Sequence, residues 1–241
     1  MEISRSDELR QNAALVRQRI NQACQAADRN SSDVKLLWVS KTHPISDVDD
    51  AIQAGATNFG ENKVQEGLEK FSQRRPGVSL HIIGPVQSNK WRKAALVAQW
   101  LHTVDSVEAL HKYETVCTEF GKTLEILFQV NTSEETAKSG LAMANAKTFL
   151  QNLPAFPHLH YRGLMTIGKN TGVAEDSRIG FAWLRNLRDE LHKLGGSFAN
   201  FTELSMGMSD DLEVAIAEGA TWVRIGTAIF GARDYSKANP L

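Results

Sequence analysis

The feature that most constrains the fold is an alternation of short apolar segments with longer amphipathic ones, repeated eight times along the chain. The apolar segments have the length and residue types of buried strands, and they are 35–40, 58–60, 80–83, 100–104, 124–130, 159–164, 202–205 and 222–224. Each is followed by a segment whose apolar residues recur at helical spacing. Strands that alternate with helices form a parallel sheet covered by helices, so the sequence predicts an α/β protein.

Two architectures fit this alternation, a doubly wound open sheet and a closed (β/α)8 TIM barrel. Eight units of similar length, with no glycine-rich fingerprint after the first strand, favour the closed barrel. The 241 residues are close to the roughly 250 typical of such barrels. A further amphipathic helix at 8–29 precedes the first strand. We expect the segment 1–31 to pack on the barrel rather than bind a partner or membrane, and residues 1–241 to form a single domain.

Composition excludes several classes of function. A net charge of −1 gives no electrostatic support for binding nucleic acid or an anionic membrane. The two cysteines, Cys24 and Cys117, are too few for a disulfide framework or a metal site and indicate a reducing compartment. The amino terminus is charged and no segment is long enough to span a membrane. We therefore expect a cytoplasmic protein without a metal centre.

The first candidate functional residue is Lys41, which directly follows the first strand. Pro44 removes a backbone donor and disfavours helix at His43, so the strand is expected to end here. A lysine at the end of a buried strand is costly unless its charge is paired or its amine is used. An aliphatic stem that packs while the ammonium reaches water is the alternative interpretation. Barrels, however, place their reacting groups at the carboxyl ends of strands.

Two turns, 205–209 and 224–228, follow the seventh and eighth strands, where barrels often bind phosphate. Free backbone N–H groups at the start of a helix attract an anion, and glycines let the chain approach it closely. The hydroxyl and glycine residues in these turns are Ser205, Gly207, Gly226 and Thr227. An ordinary helix start is the competing interpretation of the first turn, because Ser209 precedes two carboxylates that would repel phosphate, Asp210 and Asp211.

A lysine, a phosphate site and Arg224 together fit pyridoxal 5′-phosphate (PLP), which has an aldehyde, a dianionic phosphate and a ring nitrogen. A Schiff-base aldolase also uses a barrel lysine and phosphate-binding turns, and it stays open as an alternative at this point.

Seven motifs carry a resemblance to a known family, and they span nearly the whole chain: 39–42, 59–66, 81–90, 138–140, 162–165, 205–211 and 224–231. Together they resemble the pyridoxal phosphate homeostasis proteins. The resemblance implies a fold type III barrel, like the N-terminal domain of alanine racemase, with PLP joined to Lys41 as an internal aldimine. It implies a cofactor-binding set of Lys41, Asn62, His81, Ser205, Met206, Gly207, Arg224, Gly226 and Thr227.

Within this set the resemblance implies distinct roles. Ser205, Gly226 and Thr227 would hold the phosphate, and Arg224 would face the ring nitrogen. The side chains near the ring would be Asn62 and His81, at the ends of the second and third strands. Three other lysines lie in the motifs and could compete for the aldehyde: Lys63, Lys90 and Lys138.

The resemblance implies a protein of intracellular vitamin B6 and amino-acid balance that buffers or delivers PLP. Arginine keeps the ring nitrogen unprotonated, which makes the cofactor a poorer electron sink. The similar racemases use a tyrosine from a separate domain as a second acid–base group, and none of Tyr113, Tyr161 and Tyr235 is placed for that role by the predicted elements. We therefore expect a monomer without strong catalytic activity, whose partners are PLP-dependent apo-enzymes. A low-activity PLP-dependent amino-acid racemase is the alternative.

Overall fold

The computed structural model describes residues 3–73, 75–133, 135 and 139–232. Its strands are β1 Lys35–Val39, β2 Asn58–Glu61, β3 Ser79–Ile82, β4 Trp100–Val104, β5 Leu124–Asn131, β6 Leu141–Ala142, β7 Leu159–Met165, β8 Glu203–Ser205 and β9 Trp222–Ile225. Its helices are α1 Arg5–Ala26, α2 Ile45–Gln53, α3 Val64–Phe71, α4 Trp91–Val97, α5 Val107–Phe120, α6 Met143–Gln151, α7 Arg178–His192, α8 Leu212–Ala217 and α9 Thr227–Phe230.

All strands except β6 form one closed barrel. The order is β4-β3-β2-β1-β9-β8-β7-β5, and a parallel pairing of β4 with β5 closes the ring. Every pairing in the ring is parallel. For example, Lys35 of β1 lies opposite Trp222 of β9, and Asn58 of β2 lies opposite Ser79 of β3. The predicted (β/α)8 barrel is therefore confirmed.

Two local differences separate the structure from the predicted pattern. Strand β6 directly follows the segment 131–140, lies outside the predicted alternation of strands and helices, and pairs with Val130 and Asn131 of β5. Two residues are too few to produce an alternation that the sequence could reveal. The amphipathic segment that follows β7 begins with a 3₁₀ turn, Ala174–Ser177, before α7.

Side-chain alternation along each strand separates two cores. In β1, Trp38 belongs to the large apolar layer between sheet and helices, whereas Leu37 and Val39 belong to a small cluster inside the barrel. Trp222 of β9 and Ile83, which follows β3, complete the interior cluster. Since side chains alternate with a period of two, the residues that continue the interior row lead toward the carboxyl end of the barrel.

The amino-terminal helix α1 lies against the helices at one side of the barrel. Arg5 pairs with Asp47 of α2 at 3.0 Å and donates to the carbonyl of Phe230 in α9. Arg19 pairs with Glu213 of α8 at 2.8 Å. The apolar face of α1, which includes Leu9, Val16 and Ile20, is buried. In the part of the chain that the structure describes, no helix is both long and apolar enough to cross a membrane.

Candidate functional site

A cavity of about 550 Å³ opens at the carboxyl ends of the barrel strands. Five of the predicted cofactor residues line it: Lys41, Asn62, Arg224, Gly226 and Thr227. A larger cavity, of about 830 Å³, is lined by Val78, Gln99 and Thr123, which directly precede strands β3, β4 and β5. That cavity lies at the amino ends of the strands, whereas barrels carry their reacting groups at the carboxyl ends. The smaller cavity, which we call the Lys41 pocket, is therefore the candidate site.

Strand geometry accounts for the position of Lys41. Leu37 and Val39 of β1 face the barrel interior, and Lys41 continues their row two residues later. The same reasoning applies to β9, where Trp222 faces the interior and Arg224 follows it at the same spacing. The two cationic side chains thus reach one cavity from neighbouring strands.

Arg224 is held rigidly at the floor of the Lys41 pocket. Its side chain is 5% exposed, and its two terminal nitrogens donate to Ser205 Oγ at 2.9 Å and to the Thr166 carbonyl at 2.8 Å. Burial lowers the pKa of Arg224 to about 10, and nearby Asp211 opposes this shift. The guanidinium is therefore protonated at neutral pH, and its remaining N–H groups can only donate.

A chain of hydrogen bonds continues from Arg224 through the barrel interior. Ser205 Oγ lies 3.0 Å from His102 Nδ1, and His102 Nε2 lies 2.9 Å from His81 Nδ1. His81 Nε2 in turn lies 3.3 Å from Asn58 Oδ1. Because Arg224 only donates to Ser205, the serine proton is directed to His102, and each later group donates to the next. A single arrangement of protons therefore gives every hydrogen bond in this chain one donor and one acceptor.

Both histidines in this chain are neutral at physiological pH. Each is fully buried, and desolvation lowers the pKa of His81 to about 3 and that of His102 well below its ordinary value. The ring of His81 stacks on Trp100 with centroids 5.3 Å apart. The neutral, singly protonated form is the one that the directed hydrogen bonds require.

Four of the predicted cofactor residues do not line the Lys41 pocket. The expectation that His81 ends its strand is wrong, because it is the third residue of β3 and faces the barrel interior. Ser205 also turns inward, where its hydroxyl bonds Arg224 and His102. Met206 faces the opposite way, into the layer between sheet and helices. Gly207 packs so closely on α8 that a Cβ there would lie 2.6 Å from the Cβ of Ala215.

The turns around the pocket leave four backbone donors available. The N–H groups of Ser209, Asp210, Thr227 and Ala228 have no acceptor among the described residues. Asp211, whose carboxylate could oppose an anion, is buried and accepts the N–H of Met208 at 2.7 Å instead. The exposed Asp210 is the one carboxylate among the described lining residues. These amides can bind an anion at the side of the pocket formed by the two predicted turns.

Eleven of the described lining residues lie outside the predicted cofactor-binding set, although Met208, Ser209 and Ala228 belong to the two predicted turns: Arg19, Val39, His43, Ile83, Gly84, Pro85, Ile167, Met208, Ser209, Asp210 and Ala228. No larger residue fits at Gly84, because a Cβ there would lie 2.3 Å from the Asn62 carbonyl oxygen. His43 is held by Asp47, whose carboxylate lies 3.1 Å from Nδ1, and its ring stacks on Phe230 at 4.9 Å. The spacing of four between His43 and Asp47 was a signal that could have revealed this pair.

Comparison with known proteins identifies the family of this chain. The family model for the alanine racemase N-terminal domain matches residues 6–234. A pyridoxal phosphate homeostasis protein of Pasteurella multocida is 43% identical over 95% of this chain and 99% of its own length. One of Pseudomonas aeruginosa is 44% identical over 93% and 96% of the two chains. The chain belongs to the pyridoxal phosphate homeostasis protein family.

A solved structure related to this family carries the cofactor. PipY of Synechococcus elongatus, solved with PLP bound, is 33% identical and superposes with a TM-score of 0.79, covering 92% of this chain and all of its own. In the described part of this chain, no group of three or more His, Cys, Asp and Glu side chains is placed to hold a metal ion.

The other lysines of the family motifs lie outside the pocket or outside the described residues. Lys63 is exposed at the start of α3 and Lys90 lies in the 3₁₀ turn before α4, and neither lines the Lys41 pocket. Lys138 lies outside the described residues, as does Tyr235. Neither of the two described tyrosines reaches the pocket, since Tyr113 is buried in α5 and Tyr161 donates to the Pro154 carbonyl.

Proposed function

We propose that this protein binds PLP covalently through Lys41 and buffers it, or delivers it to PLP-dependent apo-enzymes, without strong catalytic activity. One observation carries the proposal: Lys41, the buried guanidinium of Arg224 and four available backbone amides surround a single cavity. Membership in the homeostasis family and the PLP-bound structure of PipY support it. The cavity of about 550 Å³ lies in the range that small cofactors occupy.

The donors in the pocket match the three parts of the cofactor. PLP supplies an aldehyde that condenses with an amine, a phosphate dianion and a ring nitrogen. Lys41 provides the amine. The amides of 209–210 and 227–228 provide donors for the phosphate, and Arg224 provides a donor for the ring nitrogen. Ser205, which does not line the pocket, would act by holding Arg224 rather than by touching the phosphate.

The protonated guanidinium also bears on the absence of strong catalysis. Because the protonated Arg224 can only donate hydrogen bonds, a ring nitrogen next to it must accept and therefore stays unprotonated. A neutral ring withdraws electrons less strongly, so bonds at the substrate carbon are weakened less. This arrangement favours storage and transfer over carbanion chemistry.

A second candidate function is a PLP-dependent amino-acid racemase of low activity, and His43 favours it. The residue lines the same pocket as Lys41, and Asp47 fixes its Nδ1. Burial lowers the pKa of His43, so its ring can accept a proton at neutral pH. A racemase needs two acid–base groups, and His43 is the residue to examine as the second.

The first prediction concerns Lys41. The purified protein with PLP should show the visible absorbance band of the covalently bound cofactor, and Lys41→Ala should abolish that band because the covalent bond is lost. Lys63→Ala and Lys90→Ala are matched controls that remove motif lysines outside the pocket, and they should retain it. Borohydride reduction followed by peptide mapping should place the label on Lys41. If this absorbance band survives in Lys41→Ala, the assignment of Lys41 as the attachment site is wrong. If the protein rapidly exchanges the α-hydrogens of amino acids in deuterated water, the racemase function is correct and the carrier function is not.

A further inference from the structure

The segment that carries Lys41 is backbone-strained. Thr42 has φ of +68°, in the left-handed region. Of the described residues other than glycine, Asp28 alone shares a positive φ with it. This conformation is unfavourable for a β-branched residue, and it persists only where the surroundings impose it. The strain lies one residue from the amine that the proposed function requires.

A buried cluster of charges lies directly behind this segment. Lys70 Nζ lies 2.9 Å from Glu61 Oε1 and 3.5 Å from Glu66 Oε2. The Glu61 side chain is fully buried and that of Lys70 is 7% exposed. Glu61 ends β2, whereas Glu66 and Lys70 lie four residues apart on α3 and share one face of it.

The cluster bonds to both neighbours of Lys41. Lys70 donates to the Ser40 carbonyl at 2.8 Å, and the Ser40 hydroxyl donates to Glu61 Oε1 at 2.7 Å. On the other side, the backbone N–H of Thr42 donates to Glu66 Oε2 at 2.8 Å. None of the three charged residues lines the Lys41 pocket. They contact the peptide units before and after Lys41 and leave its side chain directed into the cavity.

Stability alone does not explain such a cluster. A buried ion pair is often no more stabilising than apolar residues of similar volume, because both charges are desolvated. Here Glu61 Oε2 is buried without a hydrogen-bond partner among the described residues. Burial also raises the pKa of Glu61 to about 7, although Lys70 and Ser40 oppose that shift. What the charges do achieve is a fixed backbone on each side of Lys41.

We propose that Glu61, Glu66 and Lys70, which we call the Lys41 clamp, are positioning residues that hold the Lys41 amine in bonding geometry for the aldehyde. The inference rests on the proposed function, in which Lys41 is the attachment site. Misplacement of a reacting group by about 1 Å can lower a rate by up to about a hundredfold. Loss of the clamp should therefore slow cofactor attachment without unfolding the protein.

The central test compares Glu66→Ala with Glu69→Ala in the full-length protein after removal of bound cofactor. Glu69 is an exposed carboxylate on the same helix, and its side chain contacts Gln65 rather than the Lys41 segment. Glu66→Ala should slow the rise of visible absorbance after PLP addition by roughly ten- to a hundredfold. Glu69→Ala should leave that rate unchanged. Glu66→Gln should stay closer to wild type, because its amide oxygen can still accept the Thr42 N–H.

A second readout does not use the cofactor. Trace acetylation of the cofactor-free protein, followed by mass spectrometry, gives the reactivity of Lys41 relative to the exposed Lys63. In Glu66→Ala this ratio should move several-fold from its wild-type value toward unity, and in Glu69→Ala it should not change. The double variant Glu61→Gln/Lys70→Met removes the Lys70 bond to the Ser40 carbonyl without leaving Glu61 as an unpaired buried charge. It should shift both readouts in the same direction, and it serves if Glu66→Ala does not fold.

The outcomes separate the two proposals. Equal attachment rates and equal Lys41 reactivity in Glu66→Ala and Glu69→Ala would overturn the clamp, as would slower attachment with unchanged Lys41 reactivity. If wild type gains no visible absorbance with PLP, the proposed function fails. The acetylation comparison then still decides whether the clamp positions the Lys41 amine.

Discussion

Two buried histidines, His81 and His102, make the stability of this fold depend on pH. Both are fully buried and lie in a chain of hydrogen bonds that ends on Arg224. Burial keeps His81 neutral and lowers its pKa to about 3, whereas an unfolded histidine titrates near 6.5. Between these two values the unfolded state binds a proton that the folded state does not. Stability contributed by His81 is therefore complete above pH 6.5 and is lost as the pH falls toward 3.

The second prediction follows from this linkage. The free energy of unfolding of the wild-type protein should include a loss of about 2 kcal/mol from His81 between pH 7 and pH 5. His81→Gln should remove that part of the pH dependence, because glutamine does not titrate. Urea unfolding at both pH values measures the difference, and His160→Gln controls for removal of an exposed histidine. An identical loss in wild type and His81→Gln would show that His81 is not held neutral.

Among the secondary-structure elements, helix α1 has a role beyond covering the barrel. Its Arg19 lines the Lys41 pocket, donates to the Ser209 carbonyl at 2.9 Å and pairs with Glu213. The helix thus orients the turn between β8 and α8, which supplies two of the available amides. An ion pair as exposed as this one adds little stability, so its effect should be seen in binding.

The third prediction tests that role. Arg19→Ala should weaken PLP binding by roughly two- to tenfold, the effect of losing about one hydrogen bond that holds the turn. The free energy of unfolding should change by less than about 1 kcal/mol. Arg17→Ala is the matched control, because Arg17 is exposed on the same helix and does not line the pocket. The affinity for PLP, measured by titration of visible absorbance, should differ between the two variants. Equal affinities would show that α1 does not contribute to PLP binding through Arg19.

In the whole molecule, the closed barrel brings the carboxyl ends of several strands together around the Lys41 pocket. Apolar side chains fill the layer between sheet and helices. Inside the ring, Leu37 and Trp222 form part of an apolar cluster, and Arg224 lies nearer the carboxyl end, where it lines the pocket. A ligand that contacts several strands at once stabilises the whole cooperative unit by mass action.

The fourth prediction is a thermal shift. PLP at about a hundred times its dissociation constant should stabilise the protein by about 2.7 kcal/mol, which corresponds to a rise in Tm of roughly 5–10 °C for a chain of this size. The same concentration of PLP with Lys41→Ala, or of inorganic phosphate with wild type, should give a clearly smaller rise, since only non-covalent contacts remain. Equal shifts in all three samples would mean that binding does not involve Lys41.

Much of this fold was predictable from local patterns. Short apolar runs followed by amphipathic segments indicate parallel strands and helices wherever they occur, and eight such units of even length close into a barrel. Because a parallel barrel brings all carboxyl strand ends to one side, the position of Lys41, Asn62 and Thr227 around one pocket could be inferred from chain order. Strand β6 could not, since two residues carry no periodic signal.

Strand order and alternation along the chain are enough to predict the barrel, its functional end and the lysine and arginine that share the pocket. The contacts of side chains near strand ends, by contrast, depend on the packing of the folded chain. This packing turned Ser205 and His81 into the interior, brought Arg19 and His43 to the pocket, and placed Glu61, Glu66 and Lys70 behind Lys41. These contacts join elements far apart in the chain, and their geometry depends on how the helices pack around the closed ring.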